Sequence, residues 1–188
     1  MKKHFYQGIR GAFSFQKTYK DQVENASDGA HFVEIGVYLG RSASFMAVEI
    51  ANSGKQIKFD CVDTWSCLPQ SVKELNLKNS IYKQFIKNMK PVEGFYNAIQ
   101  LKSKEAAELY DNNSLDFVFI DAHHTFEEVT QDINCWYPKV KIGGTLAGHD
   151  YYPNSRLQEE VKQAVHARFT DEELLIDPVS FTWAVIKK

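Results

Sequence analysis

Residues 31–44 read His-Phe-Val-Glu-Ile-Gly-Val-Tyr-Leu-Gly-Arg-Ser-Ala-Ser, and this stretch decides the fold of the chain. Its mainly apolar residues 32–35 predict a short buried strand. Gly36 and Gly40 then bracket a turn in which the backbone can approach a ligand closely, and a helical pattern begins at Arg41. A strand, a glycine turn and a helix in this order are typical of the opening of a nucleotide-binding βαβ unit.

Two side chains in this stretch indicate what the turn binds. Glu34 is an acid in an otherwise apolar strand. Because a lone buried carboxylate is costly, we expect it near the C-terminal end of the strand, facing a ligand. A dinucleotide site needs the pattern G-x-G-x-x-G. Tyr38 occupies the position of the second glycine, where its ring would collide with a pyrophosphate, so the stretch argues against a dinucleotide.

The spacing Glu34-x-Gly36-x-x-x-Gly40-x-Ser42 resembles the first motif of class I S-adenosylmethionine-dependent methyltransferases. The variant is the one found in small-molecule O-methyltransferases of the catechol and macrolide-sugar type. A tight strand-to-helix turn in an unrelated α/β protein would show similar glycines, so the motif needs support from the rest of the chain.

The composition fits one domain that binds a small molecule. With 188 residues, of which 44% are hydrophobic, the chain can bury one core, and we expect a single domain over residues 1–188. Its 22 basic and 24 acidic residues give a net charge of -2, which offers no positive field for nucleic acid. Residues 1–20 nevertheless carry five basic residues and no acid, either as a solvated face or for an anionic substrate.

The cysteines and the hydropathy pattern predict a cytoplasmic protein. The cysteines are odd in number and lack C-x-x-C spacing, so neither a disulfide framework nor a zinc site is indicated for Cys61, Cys67 and Cys135. No segment approaches about eighteen consecutive apolar residues, which predicts that the chain does not enter a membrane.

Strand and helix patterns alternate along the rest of the chain. The strands predicted after the opening motif lie at residues 57–62, 98–101, 115–120, 145–148, 174–176 and 181–186, and the last two form an antiparallel pair. Gly143-Gly144 is interpreted as the turn that leads into the strand at 145–148.

Two segments stand outside this alternation. Residues 1–29 mix aromatic and basic residues, which predicts a short helical leader, a partly ordered arm or a flap over the active site. Residues 66–93 form an insertion with a helical apolar stripe at Tyr82, Phe85, Ile86 and Met89. Because this insertion follows the C-terminal end of a strand, it is either a substrate lid or a structural crossover.

Polar residues after the second and third strands are candidates for the cofactor site. Asp63 ends the second strand, where a carboxylate can accept hydrogen bonds from both ribose hydroxyls. Trp65 either stacks on adenine or belongs to the core. Ser103 is placed to act as the N-cap of a helix that begins at Lys104, and the resemblance to methyltransferases implies that it also meets the adenine.

Three of the six histidines directly follow the fourth and fifth strands. His123 and His124 stand near Asp121 after the fourth strand, and His149 stands beside Asp150 after the fifth. Neighbouring parallel strands end at the same edge of a sheet, so we expect these side chains to share one pocket with the carboxylates described above.

With these residues the resemblance extends over roughly residues 31–151. Four further features resemble the family of macrocin-type and aminocoumarin sugar O-methyltransferases and cephalosporin-hydroxylase-like proteins. They are Asp121-x-His-His, an aromatic-rich helix that ends at Tyr137-Pro138, the Gly143-Gly144 turn, and His149-Asp150-Tyr151. This resemblance implies that Ser42 binds the methionine carboxylate of S-adenosylmethionine and that Asp63 holds the ribose. The further residues that it implies around the cofactor are Glu34, Gly36, Tyr38, Gly40 and Asp121.

The resemblance also implies a divalent metal, but the residues depart from the usual pattern. Many relatives bind Mg²⁺ through the acid after the fourth strand, here Asp121, and a pair of residues after the fifth strand, here His149 and Asp150. An imidazole favours a transition metal over Mg²⁺, so both the presence and the identity of the ion stay open. Otherwise His149 is a neutral side chain that is hydrogen-bonded at the strand end.

Transfer of a methyl group to a hydroxyl requires that the hydroxyl lose its proton. An imidazole can take it, because its ordinary pKa lies near 6.5. His124 is the first candidate for this base, since a lysine stands at about this offset from Asp121 in the catechol-type enzymes. His123 is the second candidate, and either histidine otherwise caps the following helix or contacts adenine.

These features together predict a Rossmann-like class I methyltransferase fold: an α/β domain with a mostly parallel seven-stranded sheet, an antiparallel last strand and helices on both faces. The expected activity is O-methylation of a small hydroxylated metabolite of the sugar or natural-product type. The alternatives are a non-catalytic cofactor-binding or scaffold protein with this fold and a metal-dependent hydrolase. Self-association into a homo-oligomer stays open.

Overall fold

A seven-stranded sheet runs through the molecule, a computed structural model that describes residues 1–66, 80–151 and 156–188. The strands are β1 His31–Ile35, β2 Lys58–Val62, β3 Asn97–Ile99, β4 Leu115–Ile120, β5 Val140–Gly148, β6 Leu174–Asp177 and β7 Thr182–Ile186. Their order across the sheet is β3-β2-β1-β4-β5-β7-β6. The strands β1 to β5 pair in parallel, whereas β7 is antiparallel to both of its neighbours. The fold class predicted from the sequence is therefore confirmed.

Helices cover both faces of the sheet. In the described ranges they are α1 Gln16–Asn25, α2 Arg41–Ser53, α3 Ser80–Met89, α4 Ser103–Ala107, α5 Phe126–Trp136 and α6 Arg156–Arg168. The helices α1 to α3 share one apolar core with the sheet, and α4 to α6 share the other. Alternation along β1 sends Phe32 to the first core and Val33 to the second, as expected for a central strand with two covered faces.

The N-terminal segment packs against the first core. Phe15 and Tyr19 are completely buried, and the ring centroid of Phe15 lies 4.4 Å from that of Phe119 in β4. The helical leader expected for residues 1–29 is thus present as α1. Its proposed function as a flap over the active site stays a prediction.

Two expectations about local structure are wrong. The strand β5 begins at Val140 and runs through Gly143-Gly144, because the backbone of both glycines pairs with Lys187 and the register against β4 shifts to absorb the extra residues. In α3, Ile86 is exposed and Ile81 is buried in its place. Strand pairing decided the first case and the packing of α3 on the domain decided the second, and periodicity shows neither.

Part of the predicted lid cannot be compared with the structure. Of the insertion at residues 66–93, residues 67–79 lie outside the described residues, and so does Cys67. The described end forms α3, where Phe85 and Met89 are completely buried. The lid stays a prediction.

Candidate active site

The ends of three neighbouring strands are joined by backbone hydrogen bonds, which fixes the floor of the candidate site. The N–H of Asp121, directly after β4, donates to Ile35 O at the end of β1, over 2.8 Å. The N–H of His149, directly after β5, donates to Ile120 O over 3.1 Å. The predicted convergence of the two polar clusters is therefore observed.

Position 36 requires a glycine because the backbone at residues 121–122 passes very close to it. A Cβ at this position would lie 2.1 Å from Asp121 O and 2.6 Å from the Cα of Ala122, and the φ of +90° also favours glycine. Gly40 is similarly enclosed, because its Cβ would lie about 3.0 Å from side-chain atoms of Phe85 and Met89 in α3. From the sequence, we expected these glycines to let the backbone approach a ligand. In the structure, both are needed because other parts of the protein pack against them.

Glu34 is buried behind the glycine turn. Only 1% of the residue is exposed, and the Ser42 hydroxyl donates a hydrogen bond to its Oε1. Burial raises the pKa of Glu34 to about 8, although the hydrogen bond from Ser42 opposes this. The expected direct contact between Glu34 and the ligand is thus corrected, because β1 alternation points this side chain into the first core.

Asp63 joins the end of β2 to the glycine turn. Its Oδ2 accepts from the N–H of Tyr38 over 2.8 Å, and its Oδ1 accepts from the N–H of Trp65 over 2.7 Å. Burial raises the pKa of Asp63, and these backbone donors oppose the effect. A carboxylate oxygen can accept more than one hydrogen bond, so both oxygens keep acceptor capacity for a diol.

Trp65 is part of the core. It is 1% exposed, its Nε1 donates to Tyr38 O over 2.8 Å, and its ring packs against Tyr82 and Phe85 with centroid distances of 4.8 Å. This burial favours the interpretation of Trp65 as a core residue over stacking on adenine.

A cavity of about 910 Å³ opens beyond the ends of β1, β2 and β4. Its wall is formed by the turn after β1, the segment after β3 and the start of α5. The residues predicted for the site that line it are Gly36, Tyr38, Asp63, Trp65, Ser103, Asp121, His123 and His124. Glu34 and Gly40 are not among its lining residues.

The far part of this cavity contains a buried acid that the sequence analysis did not select. The Ser103 hydroxyl donates to Asp132 Oδ1 over 2.5 Å and accepts from Trp136 Nε1 over 2.8 Å. Burial raises the pKa of Asp132 to about 6. Ser103 is the first residue of α4, and Lys102 is its N-cap, so the predicted capping by Ser103 is wrong. In the sequence, Asp132 could have been recognised as a buried acid because it lies on the apolar stripe of α5, between Val129 and Ile133.

A second cavity, of about 260 Å³, lies next to the first and shares Gly36, Tyr38, Asp121 and His124 with it. Its other predicted lining residues are Ser42, His149 and Asp150, and it is also lined by Arg10, Gly11 and Ala12 of the N-terminal segment. The two cavities therefore meet at the end of β4.

The end of β4 and the end of β5 carry a compact charged cluster. His124 Nε2 lies 2.8 Å from Asp150 Oδ2. His149 Nδ1 lies 3.3 Å from Asp150 Oδ1 and 3.6 Å from Asp121 Oδ1, and its Nε2 lies 2.9 Å from the Ser14 hydroxyl. His123 is not part of this cluster: its Nδ1 lies 3.8 Å from a carboxylate oxygen of Glu128, and both residues line the 910 Å³ cavity.

The pKa values in this cluster are coupled through Asp150. Its hydrogen bond raises the pKa of His124. Burial by itself would lower the pKa of His149, but the two aspartates raise it to about 10. Burial by itself would raise the pKa of Asp150, but His124 and His149 hold it well below the ordinary value. The cluster thus places an imidazolium, His149, beside two carboxylates.

Three residues of the charged cluster could together hold a metal ion. In the described part of the chain, Asp121, His124 and Asp150 have ligand atoms that all lie within 4.8 Å of one another. The predicted ligand His149 is not in this group, although its Nδ1 lies 3.3 Å from Asp150 Oδ1 and 3.6 Å from Asp121 Oδ1, and its assignment as a ligand stays a prediction. Two carboxylates and an imidazole suit a transition-metal ion better than Mg²⁺.

The fold and the cavity beyond its parallel strands define a class I S-adenosylmethionine-dependent methyltransferase. A family model described as "Methyltransferase domain" matches residues 33–151. The chain belongs to this methyltransferase-domain family. This membership does not support the metal-dependent hydrolase that the sequence analysis kept as an alternative. No curated protein sequence gives a significant match.

Solved structures of methyltransferases share this fold at low sequence identity. The O-methyltransferase NovP is 18% identical with a TM-score of 0.68, over 92% of this chain and 79% of NovP. An S-adenosylmethionine-dependent O-methyltransferase from Thermotoga maritima is 14% identical with a TM-score of 0.61, over 95% of this chain and 67% of that chain. Aeropyrum pernix fibrillarin, solved with natively bound S-adenosyl-L-methionine, is 12% identical with a TM-score of 0.55, over 85% of this chain and 67% of that chain.

Within the three described ranges, no helix combines the length and the apolar character needed to span a bilayer. The cytoplasmic location, the absence of nucleic acid as a partner and the homo-oligomer remain at the level of sequence-based expectation.

Proposed function

We propose that this protein transfers the methyl group of S-adenosylmethionine to a hydroxyl of a small metabolite, and that the two adjoining cavities hold the adenosine and the methionine ends of the cofactor. The observation that carries the proposal is the position of Asp63. Asp63 directly follows β2 and lines the 910 Å³ cavity, and two backbone N–H groups orient its carboxylate. A carboxylate fixed in this way can accept from both hydroxyls of a ribose.

The volume and lining of the large cavity support an adenosine moiety. At about 910 Å³ it exceeds what a nucleoside needs and leaves room for an acceptor. Ser103 and Asp132 provide polar groups at the far side from the charged cluster, where an adenine could donate and accept hydrogen bonds. When bound, the cofactor supplies an electrophilic methyl group on a sulfonium.

We assign His124 as the base that removes the acceptor proton. It lines both cavities, and its Nε2 lies 2.8 Å from Asp150 Oδ2. A carboxylate on one ring nitrogen fixes the orientation of the imidazole and leaves the other nitrogen to accept a proton. His123 is the weaker candidate, because its Nδ1 is near Glu128 at the surface.

Three of these residues also fit a divalent metal. Metal binding is an alternative to the assignment of His124 as the base, because both use the same side chain. Asp121, His124 and Asp150 would hold the ion, which would supply a Lewis acid that lowers the pKa of the acceptor hydroxyl. The same His124 nitrogen cannot both donate a hydrogen bond to Asp150 and ligate an ion. We favour the base, because His124 Nε2 lies 2.8 Å from Asp150 Oδ2, a distance at which it donates a hydrogen bond that orients the ring.

The test is methyl transfer from radiolabelled S-adenosylmethionine to a panel of sugars, catechols and hydroxylated acids. Each acceptor is assayed with EDTA and, separately, with Mn²⁺ or Mg²⁺. The proposal predicts transfer to a hydroxyl of at least one class, and transfer that survives EDTA supports His124 as the base. Cofactor binding without transfer to any acceptor would favour the non-catalytic alternative.

A further inference from the structure

The N-terminal segment forms part of the wall of the 260 Å³ cavity. Arg10, Gly11 and Ala12 line this cavity together with the glycine turn, Asp121 and Asp150. Residues 1–29 precede the family match, which begins at residue 33. All residues assigned to the cofactor lie within that match, so the part of the cavity wall formed by residues 10–12 has no assigned function.

The segment is held on the cavity at both sides of Arg10 by side chains of the site. Arg41 Nη1, at the start of α2, donates to Ile9 O over 3.1 Å and to Gly11 O over 3.0 Å. Further along, the Ser14 hydroxyl lies 2.9 Å from His149 Nε2 and donates to Ser180 O over 2.8 Å. Arg10 is therefore carried by a backbone that is attached to α2 and to the end of β5.

The charges on the two sides of this cavity are opposite. Asp121 and Asp150, at the ends of β4 and β5, form an acidic side that His149 partly offsets, whereas Arg10 and Arg41 bring basic groups to the side of the N-terminal segment. Arg41 is engaged by the carbonyls, but Arg10 makes no hydrogen bond or ion pair with any residue in the described ranges. An exposed guanidinium with no partner at the edge of a cavity can bind an anionic ligand group in a bidentate manner.

We propose that Arg10 binds the carboxylate of the amino-acid end of S-adenosylmethionine, so that the N-terminal segment completes the cofactor site. This inference rests on the proposed function, because it assumes that the cofactor occupies these cavities. The amino-acid end is a zwitterion: its ammonium group matches the acidic side formed by Asp121, and its carboxylate matches the basic side. Ser42, at 6% exposure, lines the same cavity, but its hydroxyl already donates to Glu34 and so cannot give the same proton to a carboxylate.

The experiment compares two ligands that differ in the amino-acid end. S-adenosylhomocysteine carries that end, and 5′-deoxy-5′-methylthioadenosine lacks it. Calorimetry measures the affinity of each ligand for the full-length wild type, for Arg10→Ala and for Lys20→Ala. The last variant loses the same charge from α1, where the Lys20 side chain is 57% exposed and pairs with Glu24, so it controls for the general field of the N-terminal segment.

We expect Arg10→Ala to weaken S-adenosylhomocysteine by about tenfold or more and to leave methylthioadenosine within about twofold of the wild type. Lys20→Ala should leave both affinities within about twofold. Unchanged methylthioadenosine binding also shows that the variant is folded.

Three results would overturn the inference. Unchanged binding of both ligands to Arg10→Ala would show that Arg10 does not bind the carboxylate of the cofactor. Equal weakening of both ligands would show that the substitution disturbs the segment and not a carboxylate contact. If the wild type binds neither ligand, the proposed function itself fails, and this result is distinct from the other two because it does not depend on the variant.

Discussion

Replacing Glu34 with glutamine removes an ionisable group from the centre of the first core while keeping its shape. Burial raises the pKa of Glu34 from the ordinary value of 4.5 to about 8. The folded protein therefore keeps the proton on Glu34 at a pH at which the unfolded chain has lost it, and folding takes up a proton. For an acid with a raised pKa, stability is highest below the unfolded value and falls as the pH rises toward the folded value.

The magnitude follows from the two pKa values. Each unit of pKa difference corresponds to about 1.4 kcal/mol, so the wild type should lose on the order of 3 kcal/mol of unfolding free energy between about pH 5 and about pH 8 through this group. Glu34→Gln should lose none of it. Its amide oxygen can still accept from Ser42, and its nitrogen replaces an oxygen, Oε2, for which the described residues provide no hydrogen-bond partner.

The measurement is urea unfolding of both proteins across this pH range, followed by the fluorescence of the buried Trp65, Trp136 and Trp183. Other groups titrate as well, and the difference between the two proteins removes their contribution. Glu108→Gln, at an exposed position, is the matched control and should keep the pH dependence of the wild type. Parallel pH curves for the wild type and Glu34→Gln would refute the reasoning, because they would mean that Glu34 titrates alike in the folded and unfolded states.

Two further substitutions test the packing and the chemistry of the site. Gly36→Ala would bring a Cβ within 2.1 Å of Asp121 O and should destabilise the fold by about 3 kcal/mol or more. Gly54→Ala, where φ is +73° but the space is open, should lose less, and equal urea midpoints for the two variants would contradict the collision. His124→Gln should lower kcat by about a hundredfold or more with the affinity for S-adenosylhomocysteine nearly unchanged, whereas His123→Gln should have a small effect. A larger loss of kcat in His123→Gln than in His124→Gln would reverse the assignment of the base.

The sequence predicted the parts of the molecule that local pattern determines. The strand at 115–120 and the helix that ends before Pro138 are found at the expected places, because apolar runs and prolines act within a few residues. The convergence of Asp121 and Asp150 was also predictable, since it follows from parallel strand order.

The remaining features depend on contacts between distant parts of the chain. The direction of Glu34 depends on which face of β1 packs against α1 and α2, and its sequence neighbours do not show this. Which histidine joins Asp121 and Asp150 in the possible ligand set depends on side-chain geometry at the ends of β4 and β5, which the sequence does not show. Arg10 had only the local excess of basic residues as a signal, and a solvated face would give the same signal.

The most direct test of the account is calorimetry of S-adenosylhomocysteine with the wild type and with Asp63→Ala, in the presence of EDTA. The account predicts micromolar binding to the wild type, a loss of at least about tenfold in Asp63→Ala, and unchanged binding in the exposed control variant Asp111→Ala. No heat of binding to the wild type, or equal affinity in Asp63→Ala, would contradict the assignment of this carboxylate to the cofactor.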